Sequence, residues 1–382
     1  MARPRKVAEG ESDLTPAQRA VQALKKDKDI GGVVKLADED LVSDVRYYVS
    51  TQAPSLDYAI GQPGIPSGKI TTIFGPEGSA KSTLVYHLLA EVQKMGGIGV
   101  LIDSEQRYTK ERAVAIGIDP SNLIIIDGAT LEQAFKSIED IIDKLRADPD
   151  SESVPILVAY DSIAGSATDK ALAMEVGQQG QAGYVAKFLG EELKRIKLKI
   201  SKTSVALVLV NQIRSHITNF DPRTRGQNLR RKVMGEQHSM LAEWPLLFES
   251  VLMLRSTTIG PIGDKDEPIG LRSRVSVRKS GISPNEGYSA ELEVYKMTGI
   301  DSVGSTFDLL EKMGVIIGGG GGRYRLEHDA NAPSFFKKDF GKVLDNHPEL
   351  GAMITAAPTL WMSGDEPQVV SSEEGIFNDD DD

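Results

Sequence analysis

The segment Gly75-Pro76-Glu77-Gly78-Ser79-Ala80-Lys81-Ser82-Thr83 carries the clearest chemistry in the chain. Its glycines let main-chain N–H groups turn inward, and its lysine and hydroxyl can reach a polyphosphate and a divalent cation. In that arrangement Lys81 contacts the β- and γ-phosphates of a nucleoside triphosphate and the Ser82 hydroxyl ligates Mg²⁺. Ala80 departs from the pattern, which has glycine just before the lysine, and its methyl bears on how tightly the loop closes. A chance glycine-rich turn is the competing reading, and the elements around the segment count against it.

Three more positions fit the same chemistry. Asp161 ends the apolar run 156–160 and precedes Ser162. A carboxylate at the tip of a buried parallel strand lies beside the phosphate loop and can hold a Mg²⁺-bound water. Strands often end in aspartate, so the loop gives this one its weight. Glu105 follows a second apolar run. It could orient and deprotonate an attacking water, although a solvated loop glutamate fits the spacing equally well. Gln212, in Asn211-Gln212-Ile213-Arg214, ends a third run. It could contact a γ-phosphate and pass its presence to the long polar segment of about 215–237. That segment holds Phe220, Arg223, Arg225, Arg230, Arg231 and Lys232. Cations interleaved with an aromatic suit single-stranded nucleic acid, the cations neutralising phosphates and the ring stacking on bases. The five histidines (His87, His216, His238, His328, His347) show no metal-ligand spacing.

These residues need a scaffold. Short apolar runs at 70–74, 99–103, 123–127, 156–161 and 205–212 read as strands. Helical spacing at 81–95, after Thr130 and at 183–201 alternates with them. The alternation predicts an α/β fold, a mostly parallel sheet with helices on both faces. Runs at 251–255, 274–277 and 290–295 extend it as hairpins, and 318–322, five glycines, reads as a mobile hairpin loop. Thr15-Pro16-Ala17-Gln18 opens a short helix through about residue 29.

Composition bounds the answer. With 382 residues, 40% hydrophobic and 26% charged, the chain can build one large domain or two to three smaller ones. It has no cysteine, which excludes disulfides, thiolate metal sites and cysteine nucleophiles. The longest apolar run, about 205–210, is far short of the ~20 residues of a membrane helix. No apolar stretch follows the basic N-terminus, so a secretory signal is not expected. A soluble, cytoplasmic protein follows. The net charge is −11, but residues 362–382 carry −8 of it. Residues 187–232 hold twelve bases and three acids, +9. A basic binding surface with an acidic tail is one reading; a solvated helix face with a solubilising tail is the other.

Taken together, the segments Ser55-Leu56-Asp57-Tyr58-Ala59-Ile60, Gly64-Ile65-Pro66-Ser67-Gly68-Lys69-Ile70, Gly75 to Thr83, Ile102-Asp103-Ser104-Glu105, Tyr160-Asp161-Ser162, Asn211-Gln212-Ile213-Arg214 and Gly299-Ile300 set a pattern across about 50–300. In these the chain resembles the RecA-type DNA strand-exchange recombinases, including their phage UvsX-like relatives, as a divergent member. The resemblance implies a P-loop RecA-like ATPase core at 46–300, after an N-terminal segment at 1–45 whose helix serves subunit polymerisation. A small C-terminal α/β domain at 301–361 and a disordered acidic tail at 362–382 complete it. It implies ATP and Mg²⁺, with Glu105 the hydrolytic base and Gln212 the γ-phosphate sensor. One DNA loop falls at about 175–183, with Gly183, leading into Lys187; the other falls at about 215–237, preceded by Arg214. The implied partners are single-stranded and duplex DNA, further copies in a helical filament with ATP between subunits, a single-strand-binding protein and loader proteins, with no membrane. The tail would compete with duplex DNA for basic surface. Lys279 matches the first of two cations supplied across the subunit interface, whereas Gly281 stands at the second, leaving Arg278 as a substitute. Arg112 stands where the family stacks a tyrosine on adenine, and a guanidinium plane can also stack. Two other readings stay open. A ring-forming hexameric helicase motor shares such a core but needs a further domain, and only about 45 residues precede the core. A scaffold that binds ATP without turnover is favoured by Ala80, Arg112 and Gly281.

Overall fold

A computed structural model describes residues 14–29, 32–37, 44–151, 153–173, 182–215, 238–327, 333–351 and 353–354. Residues 1–44 and 45–382 form separate compact units. In the first, α1 (Pro16–Leu24) begins as its sequence dictates. The Thr15 hydroxyl accepts from the Gln18 N–H at 3.2 Å, and the Gln18 side chain accepts from the Thr15 N–H at 2.7 Å. The helix stops at Leu24, short of the expected 29, where the apolar stripe gives way to Lys25, Lys26, Asp27 and Lys28.

The second unit starts with β1 (Tyr48–Val49), α2 (Pro54–Ile60) and β2 (Ile65–Pro66), which pairs with β1. Then come β3 (Ile70–Gly75), α3 (Lys81–Lys94), β4 (Ile98–Asp103), α4 (Lys110–Ile116), β5 (Leu123–Asp127), α5 (Leu131–Ala147), β6 (Ile156–Asp161), α6 (Asp169–Leu172), α7 (Ala182–Thr203) and β7 (Ala206–Ser215). The chain continues through β8 (His238–Met240), α8 (Glu243–Glu249), β9 (Leu252–Gly263), β10 (Pro268–Ser280), β11 (Ser289–Tyr295) and β12 (Gly299–Ile300). The main sheet runs β12-β11-β10-β9-β3-β7-β6-β4-β5, with β8 paired to β7. From β9 to β5 the neighbours are parallel; β10 to β12 add antiparallel strands at one side.

Side-chain alternation explains the two covered faces. On β6, Leu157 and Ala159 pack with Leu84, Leu88 and Val92 of α3, while Ile156, Val158 and Tyr160 pack with α5 and α7. Helix α5 turns Leu131, Ala134, Phe135, Ile138 and Ile142 inward and is capped by Thr130 and Gln133. Helix α7 does the same with Leu189, Leu193, Ile196 and Ile200. Each fully buried leucine or isoleucine contributes roughly 1.5–3 kcal/mol. The expected α/β layering is the one found.

Three expectations change. Strands β9 and β10 are far longer than their apolar runs because β10 is satisfied on both edges, by β9 and β11. Gly318 to Gly320 are not loop: they belong to β13 (Ile316–Gly320), which pairs with β14 (Arg323–Leu326), and only Gly321 and Gly322, both at positive φ, make the turn. Part of the basic surface is already neutralised. Arg195 pairs with Glu139 at 2.7 Å and Glu192 at 2.6 Å, Lys197 with Glu249 at 3.1 Å, and Lys199 with Asp143 at 2.6 Å. Those three cations thus already have carboxylate partners within the fold.

After β12, α9 (Ser302–Lys312), β13, β14, β15 (Phe335–Phe336) and α10 (Phe340–Asn346) enclose Phe307, Leu310, Ile316, Leu326, Phe335 and Phe340. Helix α9 also fastens to α2: Ser305 Oγ accepts from the Ser55 N–H at 3.1 Å, and Lys312 lies 5.5 Å from the Tyr58 ring centre.

Candidate nucleotide site

Strand β3 ends at Gly75 and α3 begins at Lys81, so the segment between them is a strand-to-helix turn at the C-terminal edge of the parallel strands. Gly75 must be glycine: a β-carbon there would lie 2.0 Å from the Ser256 carbonyl oxygen. Gly78 turns at φ +72° and Ala80 at +69°. The left-handed region costs an alanine about 1 kcal/mol, so Ala80 keeps the loop's shape under local strain.

Hydroxyls from β9 and β10 fasten this turn. Ser256 Oγ donates to the Ser79 carbonyl and lies 2.9 Å from Ser273 Oγ, which donates to the same carbonyl at 3.1 Å. Thr258 Oγ1 donates to the Gly78 carbonyl at 3.1 Å, and Ser79 Oγ to the Pro76 carbonyl at 2.8 Å. Helix α3 has no side-chain cap at Ala80. Its first-turn N–H groups are therefore those an anion would satisfy.

The polar side chains converge on this turn. Lys81 Nζ folds onto the loop and donates to the Pro76 carbonyl at 2.5 Å. Burial pulls its pKa down, against the opposing pull of Asp161, Glu105 and Glu77. Ser82 hydrogen-bonds Asp161 at the tip of β6, whose pKa burial raises to about 6. Lysine, hydroxyl and carboxylate thus lie together at this turn, and the oxygen pair from Ser82 and Asp161 suits a hard cation such as Mg²⁺. Glu105 lies just past β4. Its Oε1 accepts from Ser162 Oγ at 2.6 Å and from Gln212 Nε2 at 2.7 Å, and its Oε2 faces Arg107 Nε at 3.1 Å. Ser104 Oγ donates to the Ser162 carbonyl at 2.7 Å, tying the ends of β4 and β6 together. Gln212 on β7 pairs in register with Gly75.

Beside the loop lies a cavity of about 490 Å³ lined by Thr83, Arg112, Leu271, Val294 and Tyr295 among others. Arg112 donates to Thr83 Oγ1 at 2.5 Å and stands 5.7 Å from the Tyr86 ring centre. Its Nε is buried without a partner, a donor that a ligand acceptor would satisfy.

Of the residues marked in the sequence, Gly75 to Thr83, Glu105, Arg112, Asp161 and Gln212 therefore gather in one place. Lys279 does not. Its Nζ donates to the Leu247 and Ser250 carbonyls at 2.6 and 2.7 Å, at the end of α8. Gly183 and Lys187 are exposed near the start of α7. Arg214 is in β7, and Phe220, Arg223, Arg225, Arg230, Arg231 and Lys232 lie outside the described residues. Sequence reasoning passed over Ser256, Thr258 and Ser273, which look like ordinary strand hydroxyls. It also passed over Arg107, whose only sequence signal is a cation two residues past Glu105.

Among the described residues no group of His, Asp or Glu side chains has metal-site geometry, and no helix is long and apolar enough to cross a membrane. The family model for the RecA N-terminal domain matches residues 16–301. Protein RecA of Chlorobaculum tepidum is 30% identical over 347 residues, 89% of this chain and 93% of that protein. Protein RecA of Chlorobium limicola is 30% identical over 297 residues, 78% of each chain. Protein RecA of Brucella canis is 29% identical over 313 residues, 82% of this chain and 80% of its own. With the phosphate loop, its carboxylates and its glutamine gathered on one sheet edge, and with these matches over most of its length, the chain belongs to the RecA family as a divergent member.

Proposed function

We propose that the chain is an ATP-dependent recombinase that assembles as a helical filament on single-stranded DNA and pairs it with a homologous duplex. The observation that carries this reading is the 2.7 Å hydrogen bond from Gln212 to Glu105. It joins the carboxylate suited to hydrolysis to the strand that leads directly into the cationic segment 216–237.

The turn from Gly75 to Thr83 holds the triphosphate, and Lys81 swings from Pro76 to the β- and γ-phosphates. Ser82 and Asp161 hold the Mg²⁺, which neutralises phosphate charge when bound. The cavity beside Arg112 takes the base. Glu105 orients a water; its oxygen bonds to the γ-phosphorus while the bond to the β,γ-bridging oxygen breaks, its electron pair leaving on ADP. The water's proton goes to Glu105. Gln212 senses whether the γ-phosphate is present and changes its hold on Glu105, biasing the 216–237 segment between two grips on DNA. Residues 1–45 serve subunit polymerisation and 301–361 form a small accessory domain. Lys279 leaves its carbonyl partners for a neighbouring subunit's nucleotide, and a single-strand-binding protein and loaders act with the filament in the cytoplasm.

The test is ATP hydrolysis with and without single-stranded DNA, comparing the native chain with Lys81→Ala and Glu105→Gln. DNA-stimulated turnover abolished by both variants supports the reading. Turnover indifferent to DNA would remove it, and ATP uptake without turnover would favour the scaffold. Electron microscopy with single-stranded DNA and a non-hydrolysable ATP analogue should show open helical filaments; closed rings would favour the helicase motor.

A further inference from the structure

Arg107 bridges two carboxylates that belong to different parts of the site. Its Nη2 lies 3.0 Å from Glu77 Oε1 on the phosphate loop, and its Nε 3.1 Å from Glu105 Oε2. The bridge depends on a local turn: Gln106 adopts φ +54°, which reverses the chain after Glu105 and directs Arg107 back toward the loop. Arg107 is 61% exposed and Glu105 14%, so the guanidinium lies over the mouth of the site while the carboxylate lies within it. Asp161 and Lys81 are both near enough to act on Arg107 electrostatically.

The two oxygens of Glu105 are held differently. Oε1 takes hydrogen bonds from Ser162 and Gln212, both fixed on strand ends. Among the described contacts Oε2 has Arg107 alone. Oε2 is therefore the oxygen placed to receive a proton from water, and Arg107 covers it. A triphosphate seated on Gly75 to Thr83 adds several negative charges beside Glu77. A guanidinium can grip phosphate oxygens bidentately, whereas here it makes one contact with each of two separate carboxylates, Glu77 exposed and Glu105 partly buried.

On the functional reading above, we infer that Arg107 is a cation delivered in cis to the terminal phosphate, exchanged from Glu77 and Glu105 when ATP enters. The exchange uncovers Oε2 of Glu105 and places positive charge where charge develops during hydrolysis. One movement thus couples nucleotide arrival to release of the base.

The full-length chain is compared with Arg107→Ala and Arg107→Lys. Arg107 is exposed, so the urea midpoint of each variant should match the native value. For Arg107→Ala, kcat should fall by roughly 100-fold and KM for ATP should rise by no more than about 10-fold, in step with the loss of ground-state binding. Arg107→Lys should recover part of the loss, keeping the charge without the fork. In equilibrium binding, Arg107→Ala should weaken a non-hydrolysable ATP analogue by roughly 10-fold and leave ADP unchanged, because ADP has no γ-phosphate. Hydrolysis that is unchanged or faster would overturn the inference, as would equal weakening of the analogue and ADP, the mark of a clasp that only shapes the loop. A native chain that binds ATP without turning it over fails the functional reading, and the binding comparison then decides on Arg107 by itself. A native chain that binds no nucleotide overturns both.

Discussion

The two halves of the site are built to different standards of rigidity. On the β3–α3 side the loop carbonyls of Gly78 and Ser79 are fastened by three hydroxyls from β9 and β10, and Gly75 is pressed against the backbone of β9. On the β7 side, Gln212 reaches Glu105, just past β4, through one side-chain hydrogen bond. Main-chain groups pinned by several hydroxyls, two of them (Ser256 and Ser273) buried, hold their geometry whether or not a ligand is present. A flexible amide on one hydrogen bond can change partner at a cost of about 1 kcal/mol. A site that must both grip and report needs this inequality, because a uniformly rigid site has no second state to select.

The comparison can be broken at its stiff end. Gly75→Ala forces a methyl into the Ser256 carbonyl, so we expect a loss of about 3 kcal/mol in urea unfolding and no ATP binding. Retention of native stability and affinity would mean the close approach is relaxed in solution. At the pliant end, Gln212→Ala should leave stability within about 0.5 kcal/mol of native, since the side chain is only partly buried. DNA stimulation of hydrolysis should fall by roughly 10-fold, measured as the ratio of turnover with and without single strands. A large stability loss there would erase the distinction between the halves.

Two smaller effects sharpen it. His87 of α3 accepts the Ile300 N–H at 2.8 Å and meets Gln52 Oε1 at 2.8 Å, and burial lowers its pKa to about 4. The unfolded chain then binds the proton first, so His87 costs stability as pH falls from about 6.5 toward 4. Asp57 of α2, raised to about 6 by burial, works the other way: the folded chain protonates first, adding stability as pH falls from about 6 toward 3.8. The contributions of these two groups therefore nearly cancel across this window. His87→Gln should leave Asp57 unopposed, so its deficit against native should shrink from pH 7 to pH 4.5. Smallest of all, Ala80→Gly removes the left-handed strain and adds chain entropy to the unfolded state, a net gain of about 0.5 kcal/mol by urea unfolding.

The parallel core was legible because buried strands such as 156–160 are continuously apolar and their helices keep a 3.6-residue stripe. The Thr15 cap was legible because its partner Gln18 lies within three residues. Strands β9 and β10 were cut short because Ser256, Thr257 and Thr258, like Arg272 and Ser273, break the apolar signal while backbone pairing continues. The gathering of Glu105, Asp161 and Gln212 on the phosphate loop followed from strand ends sharing one sheet edge. The contacts of Arg107 did not, because its distant partner Glu77 is 30 positions away and is brought to it by loop geometry alone. The +9 count over 187–232 overstated free charge because Glu139, Asp143 and Glu249 lie on α5 and α8, outside the counted window.

Those interhelical pairs leave a mark on thermodynamics away from the site. A polyanion gains affinity by shedding its condensed counterions, and only a cation still free to replace them contributes to that release. Arg195, Lys197 and Lys199 are already engaged by carboxylates. The logarithmic dependence of single-strand affinity on ionic strength should therefore be shallower by roughly 2 than the number of basic residues implies, at about 0.7 per phosphate contact.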